Sequence, residues 1–448
     1  MSSISNDYAT NGILSIGKTL YLNEKFSDLR FIFNSSDRCD EIIPVHKSFL
    51  AAVSNKFDNL FSDSWKGKVD VVIPDATAAE FREFLQFFYL ERATLTMDNI
   101  KKVMCFGKEY NVPECMNACV KFLQRNLTED NICWGYDLAI SYDQIALQRF
   151  CKIVIAINTE KVFSSASFLT CKKETLGNIL EMESLSCSEA EVFKACMRWV
   201  KNVSKNKLTR EIIQVHLGEL FFKIRFNSMT LHQFADLIRN NMYGGLFLAD
   251  EYREIVQSIA KQYNFNPTIF NQNHRIPFEN LPFSEMIKCD RLLSLDYART
   301  PYYIKSVEKT QFSINHPMLL KQIECSIISI YASNQYYPVE DLQTELEIIQ
   351  VSVAAPDGDK VVLHRGNYHL TNFCARNITL TKPILVRPGF LYEIQLKQSP
   401  PPNCSTGDIL KLKVQLDSNI NVQFHHDSYM KIDKVARGVV RKLGFHRI

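Results

Sequence analysis

The chain is 448 residues long and 46% hydrophobic, enough apolar content to bury sizeable cores and, at about 100–200 residues per domain, to form roughly two to four domains. Its 52 basic and 49 acidic residues nearly cancel to +3, so no global field calls for nucleic acid or an anionic membrane, and any partner must be met by a local surface. Thirteen cysteines without framework spacing, several of them inside apolar helical patterns, fit reduced thiols and predict a cytoplasmic protein, with the nucleus as the alternative.

The opening, MSSISNDYATNG, has neither a basic n-region nor an apolar h-region, and no apolar run approaches the ~20 residues of a membrane span. The reading is a flexible tail over 1–9, no leader and no membrane partner. Ile13, Ile16 and Leu20 then recur at steps of three and four, an apolar helical edge that a monomer would leave exposed, and they form the candidate dimer interface. The same stretch, Gly12 to Thr19, satisfies the phosphate-loop pattern letter for letter. A phosphate loop needs a buried apolar strand ahead of it, however, and here a short, mostly polar segment precedes Gly12, so no nucleotide or other cofactor is expected.

FSDLRFIF, 26–33, alternates Leu29, Phe31 and Phe33 against Asp28 and Arg30 as a half-buried strand does. After Ile43-Pro44-Val45 one helix is predicted, with Phe49, Leu50, Val53, Phe57, Leu60 and Phe61 as its buried stripe and Ser54, Asn55 and Asp58 on its polar face. Val69, Val71 and Ile73 alternate into a second strand, Thr77 to Glu80 reads as a capping box, and Pro113 enters a helix running through Leu127. Residues 10–127 are therefore a mixed α/β unit. From 128 to 240 helical patterns follow one another, with a capping box at Ser188 to Glu191. After 241–282, a linker or helical extension, 283–448 carries short β-rich runs at sandwich spacing, the clearest hairpin being SVAAPDGDKVVL at 352–363. The fold class is multidomain α+β, ending in an antiparallel β-sandwich.

These stretches resemble known modules. FSDLRFIF, IPVHKSFLAAVSNKFDNLF, VDVVIPD and FREFLQFFYL resemble, in order and spacing, the BTB/POZ domain. LTEDNICWGYDLA, CSEAEVFKACMRWV and IRFNSMTLHQFADLI look like the BACK domain. FSINHPMLLKQIECSI, TLTKPILVRPGFLYEIQL and ARGVVRKLGFHRI are similar to a PHR domain. The resemblance implies a non-catalytic substrate-recognition adaptor that forms a homodimer, docks the third cullin of a cullin-RING ubiquitin ligase, and holds an unknown protein substrate through the PHR-like sandwich. The rival is a dimeric scaffold or transcriptional co-regulator that binds no cullin.

The resemblance places the cullin-binding surface at Phe61, Trp65 and Tyr110. Where the family presents a hydrophobic residue, any residue, then Glu, this chain has Trp65, Lys66 and Gly67, so the carboxylate is missing. Tyr110 reads equally as a core tyrosine. His46 reads as a structural residue hydrogen-bonded near Asp28, or as part of a charged pocket shared by Asp28, His46 and Lys47 at the dimer surface. Cys115 and Cys119 lie one helical turn apart and could meet His425 and His426 around zinc only by combining separate domains, so they read as core thiols and no metal is expected. The basic ending from Lys431 to Arg447 interleaves its charges with Val, Leu and Phe and reads as a last strand, not a nucleic-acid stripe.

Overall fold

Alternation in the first strand does what its period demands: Leu29, Phe31 and Phe33 of β1 (Leu29–Phe33) are buried. β1 pairs antiparallel with β2 (Glu41–Val45) and parallel with β3 (Asp70–Val72), giving the order β2-β1-β3. The computed structural model describes residues 16–33, 40–90, 93–239, 243–261, 265, 267–281, 283–295, 302–332, 335–339, 341–353, 360–371, 377–406, 408–425 and 435–448. They fall into two compact units, the described residues up to Leu127 with Gly135–Gln148, and those of Thr128–Trp134 with Arg149–Ile448.

In the first unit the single long helix expected after Val45 is two: α1 (Lys47–Val53) and α2 (Asn55–Ser62). The break is at Ser54, which is extended and buried. Its hydroxyl oxygen accepts from Phe57 N at 3.2 Å and its O–H donates to the Tyr110 carbonyl. A serine here earns more as an N-cap than as one residue of a polar face, because helix starts leave N–H groups without partners. α3 (Ala78–Tyr89) begins with the expected box, Thr77 Oγ1 accepting from Glu80 N at 3.2 Å and Glu80 Oε2 from Thr77 N at 3.1 Å. α4 (Ile100–Glu109) and α5 (Pro113–Asn126), with Pro113 at its first position, complete the packing.

In the second unit helices dominate up to Arg239. Among them are α6 (Glu189–Ser204), capped by Ser188 accepting from Glu191 N at 3.3 Å, and, further along, α7 (Ala249–Ile259). Residues 267–281 form a strap bound to these helices. The Glu254 carboxylate on α7 takes the N–H groups of Thr268, Ile269 and Phe270, each at 2.8 Å. Glu189 is gripped by Arg275 through Nε at 2.8 Å and Nη2 at 3.2 Å, and also accepts from Arg225 N at 2.8 Å. The strap then delivers Phe278 and, beyond it, Phe283 to an apolar cluster with Ile157, Leu319, Leu385 and Ile448, beside which Lys382 Nζ donates to the Ile157 carbonyl at 2.7 Å.

The rest is a sandwich of antiparallel pairs. One sheet runs in the order Val361–Thr371, Asp341–Ser352, Phe390–Gln398, Val307–Ile314, Asn421–His425, Lys413–Gln415. A second runs Asn377–Val386, Met318–Cys325, Val440–Arg447, Ile287–Asp290, and two further sheets run Gln335–Pro338, Ser329–Ala332, Cys404–Thr406, Tyr302–Tyr303 and Val435–Ala436, Asp408–Lys411, Leu292–Leu295. Phe312, Leu346, Ile348 and Ile394 of the first pack with Leu320, Ile323, Leu443 and Phe445 of the second. The expected hairpin pairs Gln350 with Val361; its turn, 354–359, lies outside the described residues, as do 431–434 of the basic ending. Lys442 within the final strand pairs with Glu324 at 3.1 Å.

The Glu189–Arg275 pair is almost wholly buried, so removing one partner leaves an uncompensated charge. Glu189→Gln should cost about 3–5 kcal/mol in urea unfolding and raise amide exchange across 268–278 before the sandwich opens; an unchanged midpoint would show that Glu254 and the apolar residues hold the strap without the ion pair.

Candidate docking surfaces

His46 stands at the junction of β2 and α1 and is buried. Its Nε2 lies 2.9 Å from the Lys25 carbonyl, which can only accept, so Nε2 carries the proton and Nδ1, 3.1 Å from the Tyr89 hydroxyl, accepts from it. The Tyr89 oxygen in turn accepts from His46 N at 2.8 Å. The expected bond near Asp28 is made differently: Asp28 accepts from Lys47 N at 2.8 Å, and Lys47 Nζ donates to the Lys68 carbonyl at 3.0 Å. His46 is a tether between the segment before β1, the start of α1 and the end of α3. The charged pocket of Asp28, His46 and Lys47 does not form as one hydrogen-bonded group.

Phe61 and Trp65 meet at the end of α2. Their ring centroids are 6.0 Å apart, both are half-buried, and Trp65 also stands 5.9 Å from Phe31 and 6.2 Å from Phe57. Tyr110 is turned inward at 5% exposure and lies flat on Phe57, centroids 4.5 Å apart and planes 5° from parallel. Burial raises its hydroxyl pKa above the ordinary tyrosine range. Of the three expected contact residues, two offer area and Tyr110 supports them from behind. Gly67 has φ +72°, and a Cβ built there meets nothing within 4 Å. The missing carboxylate therefore sits where the backbone is left-handed, between exposed Lys66 and Lys68.

At the other candidate surface, Ile13 lies outside the described residues. Residues 16–20 are helical, with Ile16 53% exposed and Leu20 half-buried. Gly17 comes so close to the end of α3 that a Cβ would fall 2.1 Å from the Tyr89 carbonyl oxygen, so packing explains the glycine that completes the phosphate-loop pattern. Two neighbours escaped the sequence reading. Leu22 and Phe26 both have positive φ, 56° and 63°, and Phe26 is 77% exposed. A bulky aromatic held left-handed and in water is an outlier that favours an unfilled contact. The alternation of FSDLRF gave no sign of it, because it reports the strand's inner face and Phe26 precedes the strand.

Residues 18–127 match the family model of the BTB/POZ domain, and 132–239 match that of BTB And C-terminal Kelch, or BACK. The chain carries a BTB/POZ domain followed by a BACK domain. Over 221 residues it is 29% identical to mouse BTB/POZ domain-containing protein 6, covering 48% of this chain and 41% of that protein. Zebrafish BTB/POZ domain-containing protein 6-B is 29% identical over the same share of this chain and 46% of its own length, and human BTB/POZ domain-containing protein 3 is 28% identical with 42% covered. The chain thus spans less than half the length of the curated relatives it matches. α1 to α5 and the three-stranded sheet lie within the matched BTB/POZ residues, as do Phe61, Trp65 and Tyr110 and, of the other candidate surface, Leu20, Leu22 and Phe26.

Within the BTB/POZ domain Cys115 and Cys119 are fully buried on α5, and the Cys115 thiol is pushed up by its bond to Cys119 and by burial, the opposite of what a metal ligand or nucleophile needs. Among the described residues no group of three His, Cys, Asp or Glu side chains could hold a metal, and no helix is long and apolar enough to cross a membrane. His425 bonds to Ser313 at 2.8 Å within the sandwich; His426 lies outside the described residues.

Gly67→Ala should lower stability by about 1 kcal/mol, and Gly67→Asn by less, since asparagine tolerates the left-handed region better. Denaturant titration of the three proteins checks this ranking; equal stabilities would mean that the loop relaxes to negative φ.

Proposed function

We propose that this BTB–BACK protein is a substrate-recognition adaptor of a cullin-RING ubiquitin ligase built on the third cullin. It dimerises through its BTB/POZ domain, holds a protein substrate through the PHR-like sandwich and works in the cytoplasm, with the nucleus as the alternative. The adaptor contributes proximity, raising the effective concentration of the tethered substrate to the order of mM at an associated conjugating enzyme. The observation that carries the reading is the half-exposed Phe61–Trp65 pair, held by Phe57 on a BTB/POZ domain that a BACK domain follows directly in the chain. Aromatic anchors of this kind supply ~2 kcal/mol or more at an interface centre.

One observation favours a second reading. With Gly67 at φ +72° between two lysines, the surface presents ammonium groups where a carboxylate belongs, and a scaffold or co-regulator that dimerises without a cullin then fits better. Titration of the full chain against the amino-terminal domain of the third cullin decides between them. The ligase reading expects measurable but weak binding, lost in Trp65→Ala, with unfolding of each variant recorded because Trp65 also packs on Phe31 and Phe57. No binding by the wild type at about 100 μM, a limit near −5.5 kcal/mol, would leave the scaffold.

For the dimer, Phe26→Asp combined with Ile16→Asp should convert the full chain to monomer in light scattering at tens of micromolar. A wild type that is already monomeric at that concentration would remove the dimer from either reading.

A further inference from the structure

Among its described residues the sandwich gives one buried cation no counter-charge. Arg291, which connects the strands Ile287–Asp290 and Leu292–Leu295, is 3% exposed. Its Nη1 donates to the Val440 carbonyl at 2.8 Å and its Nε to the Lys411 carbonyl at 3.2 Å, while its Cζ lies over the Phe424 ring, 3.9 Å from the centroid. Among the described residues no carboxylate lies within ion-pair distance of it, and Nη2 has no acceptor. Burial pulls its pKa down to about 10, so it still carries its charge at neutral pH. Two carbonyls and a ring face replace only part of the hydration a guanidinium gives up, and buried charges are ordinarily paired.

Arg291 lines a cavity of about 130 Å³, together with Lys305, Lys309, Arg437, Tyr302 and Glu308. The one carboxylate among these is already occupied, accepting from Tyr302 Oη at 2.9 Å and Lys305 N at 2.7 Å, and burial raises its pKa. Lys309 is shared with Glu393 at 3.7 Å. Among the described residues four cationic side chains thus line a space whose one acid is turned to other donors, and the most buried of them is a planar fork suited to two oxygens of one anion.

We infer that this cavity is a binding site for a phosphoryl oxyanion, with Arg291 at its floor and Lys305, Lys309 and Arg437 around it. Arg291 offers the free Nη2 edge to the anion, the lysines supply point charges that tolerate a range of approach, and the Phe424 ring keeps the guanidinium plane oriented toward the space. Compensation of Arg291 by the anion also couples occupancy to the stability of the sandwich, because the ligand is bound only by the folded form. The inference stands whether or not the chain serves a ligase.

The test uses the purified full chain in chloride buffer at constant ionic strength, titrated calorimetrically with inorganic phosphate and, separately, with a short peptide carrying phosphoserine and its unphosphorylated twin. Saturable binding is expected from at least one phosphorylated probe, with a rise in melting temperature. Arg291→Lys, which keeps the charge and loses the fork, should weaken it roughly tenfold, and Lys305→Ala, at an exposed side chain, several-fold with an unchanged melting temperature of the ligand-free protein. Binding by inorganic phosphate alone assigns the site to a free anion, and binding by the phosphopeptide but not its twin assigns it to a modified partner chain. No binding up to roughly 10 mM, a limit near 3 kcal/mol of affinity by the standard conversion, or binding that Lys305→Ala leaves unchanged, overturns the inference.

Discussion

The ring of Phe57 is the contact on which the BTB/POZ domain's candidate surface depends. Fully buried, it lies flat on Tyr110 and stands within 6.2 Å of Phe31, Phe61, Trp65 and Phe88. It joins sheet, α2, α3 and the end of α4 in one aromatic packing, and aromatic pairs of this geometry add about 0.5–1.5 kcal/mol each beyond their buried area. Its position is set in turn by Ser54, whose oxygen receives the Phe57 N–H and whose proton goes to the carbonyl of Tyr110. The exposed faces of Phe61 and Trp65 are therefore fixed by buried residues beneath them, a preorganisation that lowers the side-chain entropy a contact there would cost.

In the second unit charge does the work that aromatics do in the first. Glu254 gathers three successive N–H groups and Glu189 takes a forked arginine, so a segment of irregular backbone lies on the helices with these polar groups satisfied. Arginine suits this place because its fork also reaches the carbonyls of Met182 and Leu180. The strap then places Phe278 in an apolar cluster with helical residues Ala156 and Ile157 and the sandwich residue Leu319, making helices and sandwich one compact unit. Arg291 is the contrast: a buried arginine provided with carbonyls and a ring and with no carboxylate among the described residues.

Two features of the BTB/POZ domain carry backbone strain, and they differ in kind. Gly67 occupies the left-handed region at little cost, because glycine has no Cβ to clash. Leu22 and Phe26 occupy it with full side chains, at of order 1 kcal/mol or more apiece. Strain at the first site shapes a loop beside the aromatic pair; strain at the second holds an aromatic ring out in water.

Much of the architecture was legible in the residues alone, because periodicity is local. The alternation of Leu29, Phe31 and Phe33, the box at Thr77 and Glu80, the proline at the start of α5 and the change from helical to β-rich patterns each follow from neighbours a few positions apart, and the order of BTB/POZ and BACK modules followed from the motifs they carry. What tertiary structure decided were the properties that depend on distant partners. Ser54 became a cap because the Tyr110 carbonyl stood opposite it, His46 chose Lys25 and Tyr89 over Asp28, and Tyr110 went inward because Phe57 offered a flat face. Gly67 alone of these had a sequence clue, its residue type, and only the fold turned that permission into a positive φ. The carbonyl and ring surroundings of buried Arg291 left no local trace, since pattern reports which side chains are buried but not which partners meet them there.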